Sequence, residues 1–276
     1  MAFDNNPLKQ YFRRPAIYLK LPSGGKNYAE GVINTTETGE LPVYPMTAID
    51  EITSKTPDAL FNGSAMTEII KSCVPDILDP WSINSIDIDA ILIAIKTAAG
   101  GNEMMIESEC PKCDEVAEYG VNLMTILTQL KSGDYSNELQ VNDLFIKFRP
   151  LTYKEMNQAG IAQFEIQRVF SSLDAITDDT ERTLKGQEAL KSVTELTMQI
   201  LTSAILYVRT PGTTVENKDY IIDFLKNCDK NVYVAIRDFN AKLKEQTEIK
   251  PLKLKCTSCE HEYEQQFTLN TSDFFG

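Results

Sequence analysis

The chain has 276 residues, 42% of them hydrophobic and 24% charged, the balance of a folded protein rather than a disordered one. It carries 40 acidic against 27 basic side chains, a formal net charge of −13, which repels phosphate backbones and anionic lipid and excludes broad nucleic-acid binding as its main task. No apolar run reaches the roughly 18 residues of a membrane helix, and the start, Met1-Ala2-Phe3-Asp4, lacks the basic and apolar regions of a signal peptide, so the expected compartment is a reducing cytosol.

In chain order, residues 16–21 are rich in strand formers, and Pro22-Ser23-Gly24-Gly25 is a turn signal. Gly24-Gly25-Lys26 lacks the frame of a phosphate-binding loop, with Asn27 where Ser or Thr belongs, so no nucleotide site is expected. Residues 41–45 are a second strand candidate. Helical punctuation follows: a short helix over 48–54, a helical turn at Pro57-Asp58-Ala59-Leu60, and a helix capped by Ser64 that places Met66, Ile69, Ile70 and Cys73 on one face. Asp87 or Asp89 caps the next helix, whose Ala90, Ile91, Ile93, Ala94 and Ile95 are expected to be buried. Gly100-Gly101 ends it. The two aspartates point about 200° apart on a helix, so they do not form a carboxylate pair.

Further on, residues 123–130 read as helix, 131–137 as loop and 144–148 as strand. Thr152-Tyr153-Lys154-Glu155 is a capping-box pattern for a helix to about residue 173, with Met156, Ile161, Phe164, Val169 and Phe170 on its apolar face. A polar acidic loop over 174–181 leads to the longest predicted helix, 183–209, with Leu196, Ile200, Ala204 and Tyr207 as its stripe. Thr210-Pro211-Gly212 stops it, and helices over 217–228 and 231–244 follow. This stretch therefore predicts at most one strand pair and a four-helix group whose apolar faces form a bundle core.

Four of the six cysteines form two CxxC knuckles, Cys110-Pro111-Lys112-Cys113 and Cys256-Thr257-Ser258-Cys259. Each gap lets two thiolates turn toward one ion, and two such turns supply the four sulfur ligands of tetrahedral zinc. Each knuckle is flanked by short extended segments, the outline of a zinc ribbon. The 142 residues between Cys113 and Cys256 far exceed the roughly 15–20 of a compact ribbon. Either a subdomain is inserted between two halves that share one structural Zn2+, or the knuckles are separate dithiols. The shared ion is the expected arrangement, with no open position for catalysis. His261, the only histidine, reads as a solvated ribbon residue, and Cys73 and Cys228 as buried thiols. With one histidine and no G-x-S-x-G, HExxH or dinucleotide fingerprint, no catalytic set can be assembled, and an enzyme is not expected.

The segment Tyr11-Phe12-Arg13-Arg14-Pro15-Ala16-Ile17-Tyr18-Leu19-Lys20-Leu21-Pro22-Ser23-Gly24-Gly25 resembles the opening signature of the T-even-type bacteriophage baseplate proteins, which include the hub subunit and hub assembly protein of contractile-tailed phages. Pro45-Met46-Thr47, Asp50-Glu51, the stretch from Thr56 to Gly63 and the stretch from Asp87 to Ile95 continue the resemblance. Arg149-Pro150-Leu151-Thr152-Tyr153 and the second knuckle extend it. The resemblance implies a non-enzymatic structural or assembly role at the baseplate hub, in the host cytoplasm during assembly and in the virion tail baseplate where the protein is retained. Its implied partners are other tail and hub proteins, including the tape-measure protein, with no direct nucleic acid and no membrane insertion.

The fold class expected is α+β: mainly helical, with an N-terminal β segment and a split four-cysteine zinc ribbon interrupted by a helical insertion. The domains would be 1–102, the ribbon halves 103–123 and 250–270, and an inserted subdomain 124–249. Tyr11, Phe12, Arg13, Arg14 and Tyr18 are candidate partner-binding residues, since aromatics and arginine anchor interfaces; an ordinary first strand covering the core is the competing reading. A zinc-ribbon adaptor of a transcription or replication machine is the alternative function. The acidic surroundings of the first knuckle (Glu103, Glu107, Glu109, Asp114, Glu115 and Glu118) weigh against it.

Overall fold

In a computed structural model, residues 6–34, 36–56, 61–176, 178–267 and 269 are described. The turn expected at 57–60 lies outside them, as does part of the acidic loop at 174–181. The chain mixes helix and strand, 47% and 20%, with eight α-helices among the described residues. It divides into two compact units. One comprises Met1–Pro80, Asp87–Leu130 and Ile249–Gly276, the other Trp81–Ile86 and Lys131–Glu248.

In the first unit, β1 (Ile17–Lys20) and β2 (Glu40–Val43) pair antiparallel, Leu19 opposite Leu41. Both leucines are buried while Tyr18 and Lys20 stay out, the alternation of a half-buried sheet. Helices α1 (Ala48–Ser54), α2 (Ser64–Cys73), α3 (Ser85–Ala98) and, further on, α4 (Leu123–Gln129) follow. Thr47 and Asp50 close a reciprocal capping box at the start of α1. The expected cap at Ser64 is not there: Ser64 is already helical, and Gly63, at φ 80°, makes the turn without a side-chain cap. The five predicted core residues of α3, Ala90 to Ile95, are fully buried.

Neither Asp87 nor Asp89 caps α3, because the helix starts at Ser85 and both lie inside it. The Asp87 carboxylate is buried and accepts from the Ser23 backbone N–H (2.8 Å) and the Tyr28 hydroxyl (2.6 Å). It thereby fastens the turn after β1 to the helix. Arg13 does similar work at the other end of β1. Its guanidinium donates to the Pro45 carbonyl and to the Ser72 carbonyl and hydroxyl, and pairs with Asp50 at 3.4 Å. Ser72 in turn donates to Asp50. One arginine thus joins the arm, the exit of β2, the start of α1 and the end of α2.

In the second unit, α5 (Tyr153–Ser172) begins at the predicted capping box of Thr152 and Glu155, with Arg149 paired to Glu155. The segment before α3 is strapped to this start: Tyr153 N–H donates to Ile83 (2.7 Å), and Trp81 stacks on the Tyr153 ring. Helix α6 (Asp179–Ala204) is capped by Asp178 and stops earlier than expected. Residues 205–209 are not its last turn but strand β7 (Ile205–Arg209). Ile, Leu, Tyr and Val in succession favour strand over helix, and pairing with β6 (Leu144–Phe148) satisfies their backbone. With β5 (Glu138–Val141) and β8 (Thr214–Val215) the result is a four-stranded antiparallel sheet in the order β5-β6-β7-β8, where one strand pair had been expected.

The core of this unit is consequently not a four-helix bundle. Ile146 and Phe148 of β6, Ile205 and Val208 of β7, and Leu201 and Ala204 of α6 pack with α7 (Lys218–Asn227) and α8 (Lys230–Glu245) through Ile221, Leu225 and Ile236. Of the face expected to be buried on α5, Met156, Phe164 and Val169 are exposed, and the buried residue of that helix is Tyr153. Cys73 is buried as expected, whereas Cys228 is half-buried.

Burial pushes the Asp89 carboxyl up to about 6 from 3.8. An acid raised in this way binds its proton more tightly folded than unfolded. Stability is therefore lost as pH rises from about 4 to about 6, and the cost is complete above that window. Asp89→Asn is expected to raise stability at pH 7 by about 1–3 kcal/mol and to give no gain below about pH 4. Denaturant melts across this range check it, and a gain independent of pH would contradict it.

Candidate metal centre

The two knuckles are tips of two like hairpins in the first unit. Strands β3 (Glu103–Glu109) and β4 (Val116–Asn122) pair with Glu109 opposite Val116, leaving residues 110–115 as the connecting loop. Strands β9 (Leu252–Lys255) and β10 (Glu262–Gln265) pair with Lys255 opposite Glu262, leaving 256–261. The loops fold alike. The first cysteine N–H donates to the residue five positions on, Cys110 to Glu115 and Cys256 to His261, both at 2.9 Å. The residue after the second cysteine donates back, Asp114 to Cys110 and Glu260 to Cys256. Asp114 (φ 57°) and Glu260 (φ 58°) hold the left-handed conformation that glycine adopts most readily. Each loop therefore accepts some backbone strain to present two sulfurs on one side.

These turns bring Cys110, Cys113, Cys256 and Cys259 together, with all four sulfurs within 4.8 Å of one another. The Cys110 and Cys259 sulfurs are 3.7 Å apart, and those of Cys113 and Cys256 3.6 Å. Disulfide sulfurs would sit at about 2.05 Å. Four sulfurs around a tetrahedral ion with Zn–S near 2.3 Å define edges of about 3.8 Å. The donor set is thus spaced as the shell of a single ion. Cys110 and Cys256 are buried, Cys259 is half-buried and Cys113 is exposed.

Backbone N–H groups of Cys259 and Ser258 aim at the Cys256 sulfur and lower its thiol to about 7, so its thiolate form is readily available. His261 lies outside the sulfur cluster, its ring stacked along Tyr263 at 6.4 Å between centroids.

A second tie between the hairpins was not foreseen from the sequence. The Tyr263 hydroxyl donates to the Ser108 hydroxyl (3.1 Å) and approaches that of Tyr119 (3.4 Å), and Ser108 donates to Gln265 (2.9 Å). Ser108 is buried, as is Cys110 two residues on. Its alternation with Cys110 was the available signal. The hydrogen bond from Tyr263 pushes the Tyr119 hydroxyl up to about 12.

The outer side of the first hairpin is acidic. Glu103, Glu107 and Glu109 on β3 and Glu118 on β4 are exposed, and Glu107 stands directly opposite Glu118. Like charges in register are destabilising, so this side has not been optimised for stability alone. Of the arm residues singled out in the sequence, Tyr11 (77%), Phe12 (58%) and Tyr18 (65%) are exposed, as is Arg14, whereas Arg13 is engaged in the internal contacts described above. No helix among the described residues is long and apolar enough to cross a membrane.

No curated protein and no solved structure matches the chain. The family described as T4 bacteriophage base plate protein matches it over residues 15–276, which include β1 and both knuckles. By that match, the chain belongs to the T4 bacteriophage base plate protein family.

Proposed function

We propose that the protein is a non-enzymatic structural or assembly component of the baseplate hub of a contractile phage tail, acting through contacts with other tail proteins. The family match over nearly the whole chain carries the baseplate assignment. Membership implies interaction with other tail proteins. The hub is the finer step, supported by the arm signature in the sequence. The tape-measure protein, which would meet the hub on the tail axis, is the partner we assign first. Assembly takes place in the host cytoplasm.

The four thiols hold one structural Zn2+. Four sulfur ligands complete its shell, so the ion orients the two hairpins and activates no water. With the knuckles bound to one ion, the segment 124–249 between ribbon halves 103–123 and 250–270 has its two ends fixed, and residues 131–248 are its part in the second unit. The acidic outer side of the first hairpin suits a protein partner rather than a nucleic acid.

The exposed Tyr11, Phe12, Arg14 and Tyr18 form the docking face of the N-terminal arm, and Arg13 holds that arm in place. The division of labour follows from where each side chain goes. Removing an exposed aromatic costs partner contact. Removing Arg13 takes the cationic partner from the buried Asp50 carboxylate and a donor from the Pro45 and Ser72 carbonyls.

Purified protein should contain one zinc per chain, and Cys256→Ser or a strong chelator should release it and lower the melting temperature, because such metal binding is coupled to folding. An identical melting temperature with and without chelator would contradict the metal assignment. In infected-cell extracts, the tagged chain should co-purify with hub and tape-measure proteins, and Tyr11→Ala with Phe12→Ala should abolish this without loss of stability. Arg13→Ala should instead destabilise the fold by about 1.5–3 kcal/mol. Recovery of no tail component by the wild-type chain would refute the hub reading.

A further inference from the structure

Helices α5 and α6 form an antiparallel hairpin in which each has a second face that its partner does not cover. The helices face each other along the half-buried Ala159, Ala162 and Ile166 of α5 and the buried Ala189 and half-buried Leu196 and Ile200 of α6. Turned about 90° from that line on α5 lies a separate stripe: Met156, Gly160, Gln163, Gln167 and Phe170. Its spacing of four, three, four and three is the heptad spacing of a coiled-coil seam. Met156, Gly160, Gln163 and Gln167 are exposed and Phe170 is half-buried.

Helix α6 carries the counterpart. Leu190, Val193 and Thr197, all exposed, repeat at three and four, also turned about 80° from the line of contact, whereas Gly186 one step before them is half-buried against the Leu173 side chain. Because the helices run in opposite directions, these rotations bring both stripes to the same side of the hairpin. Leu190 is 60% exposed and Val193 40%. A side chain added at Gly160 would meet open space.

Neither stripe contains an ionisable residue. The opposite side differs: Glu165, Lys185 and Glu188 line the groove there. In a chain of net charge −13, most surfaces brought against their own copy would oppose like charges. A charge-free, heptad-spaced side is self-complementary and escapes that repulsion, and an isologous contact requires such a patch.

We propose that this side of the α5–α6 hairpin is a homodimer interface, in which two hairpins from two copies pack as a four-helix bundle. Two seams on each hairpin meet two on the other, and Leu190 and Val193 are the central apolar contacts. The proposal is independent of the hub assignment and of the metal.

Sedimentation equilibrium of the full chain tests it. The wild type should be a dimer in a concentration-dependent equilibrium with monomer. Leu190→Lys with Val193→Lys should weaken association by at least about 100-fold, since like charges would then be opposed in a desolvated contact. Gln167→Lys, at an exposed position, should weaken it in the same direction, which keeps the test valid should the double variant fold poorly. Lys185→Gln, on the charged side, should leave it unchanged. A wild-type chain that stays monomeric at every concentration, or a dimer indifferent to Gln167→Lys and to the folded double variant, would overturn the proposal.

Discussion

The convergence of four sulfurs from two distant hairpins is the constraint on which the first unit depends. Thiols alone are weak hydrogen-bond partners and supply little reason to gather four in one place. A cation at their centre changes the balance, because every sulfur then gains a bond that none could make with another. Closing a loop of 142 residues costs chain entropy on the order of 5 kcal/mol in the usual cross-link estimate. The proposed ion has ample binding energy to offset that, at roughly 10–16 kcal/mol for structural sites. The Ser108, Tyr119, Tyr263 and Gln265 contacts add a smaller tie of the same sense.

Much of this was legible in the sequence wherever the signal was local. The capping box at Thr152 and Glu155 marks the start of α5, and strand β6 occupies the residues expected of it. The knuckles and their flanking strands fall where CxxC spacing and alternation place them. What failed was whatever depended on a distant partner. The apolar pattern running through residue 209 reads as one helix, but β6 offers the last five residues a ladder, and tertiary pairing wins. Asp87 carries the sequence mark of a cap, yet its carboxylate is committed to Ser23 and Tyr28, some 60 residues away. Arg13 reads as an interface arginine by its neighbours, and its guanidinium lies instead among Pro45, Asp50 and Ser72.

The exposed residues of α5 illustrate a different limit. Helical periodicity identifies a face but not what covers it. Phe164 and Val169 satisfy the spacing of a core and are nevertheless exposed, because the core of that unit is built on the sheet and the last two helices and not along the helix pair. Apolar residues left outside at regular spacing on a protein of a multi-component assembly are better understood as contact surface than as imperfect packing. We propose the arm and the hairpin as two such surfaces.

The most direct measurement of the central claim is X-ray absorption at the zinc edge on the purified, full-length protein. The account predicts a shell of four sulfur atoms at about 2.3 Å, with no nitrogen or oxygen among the nearest neighbours. A mixed shell of fewer sulfurs with imidazole or water, or no zinc edge from correctly folded protein, would contradict it.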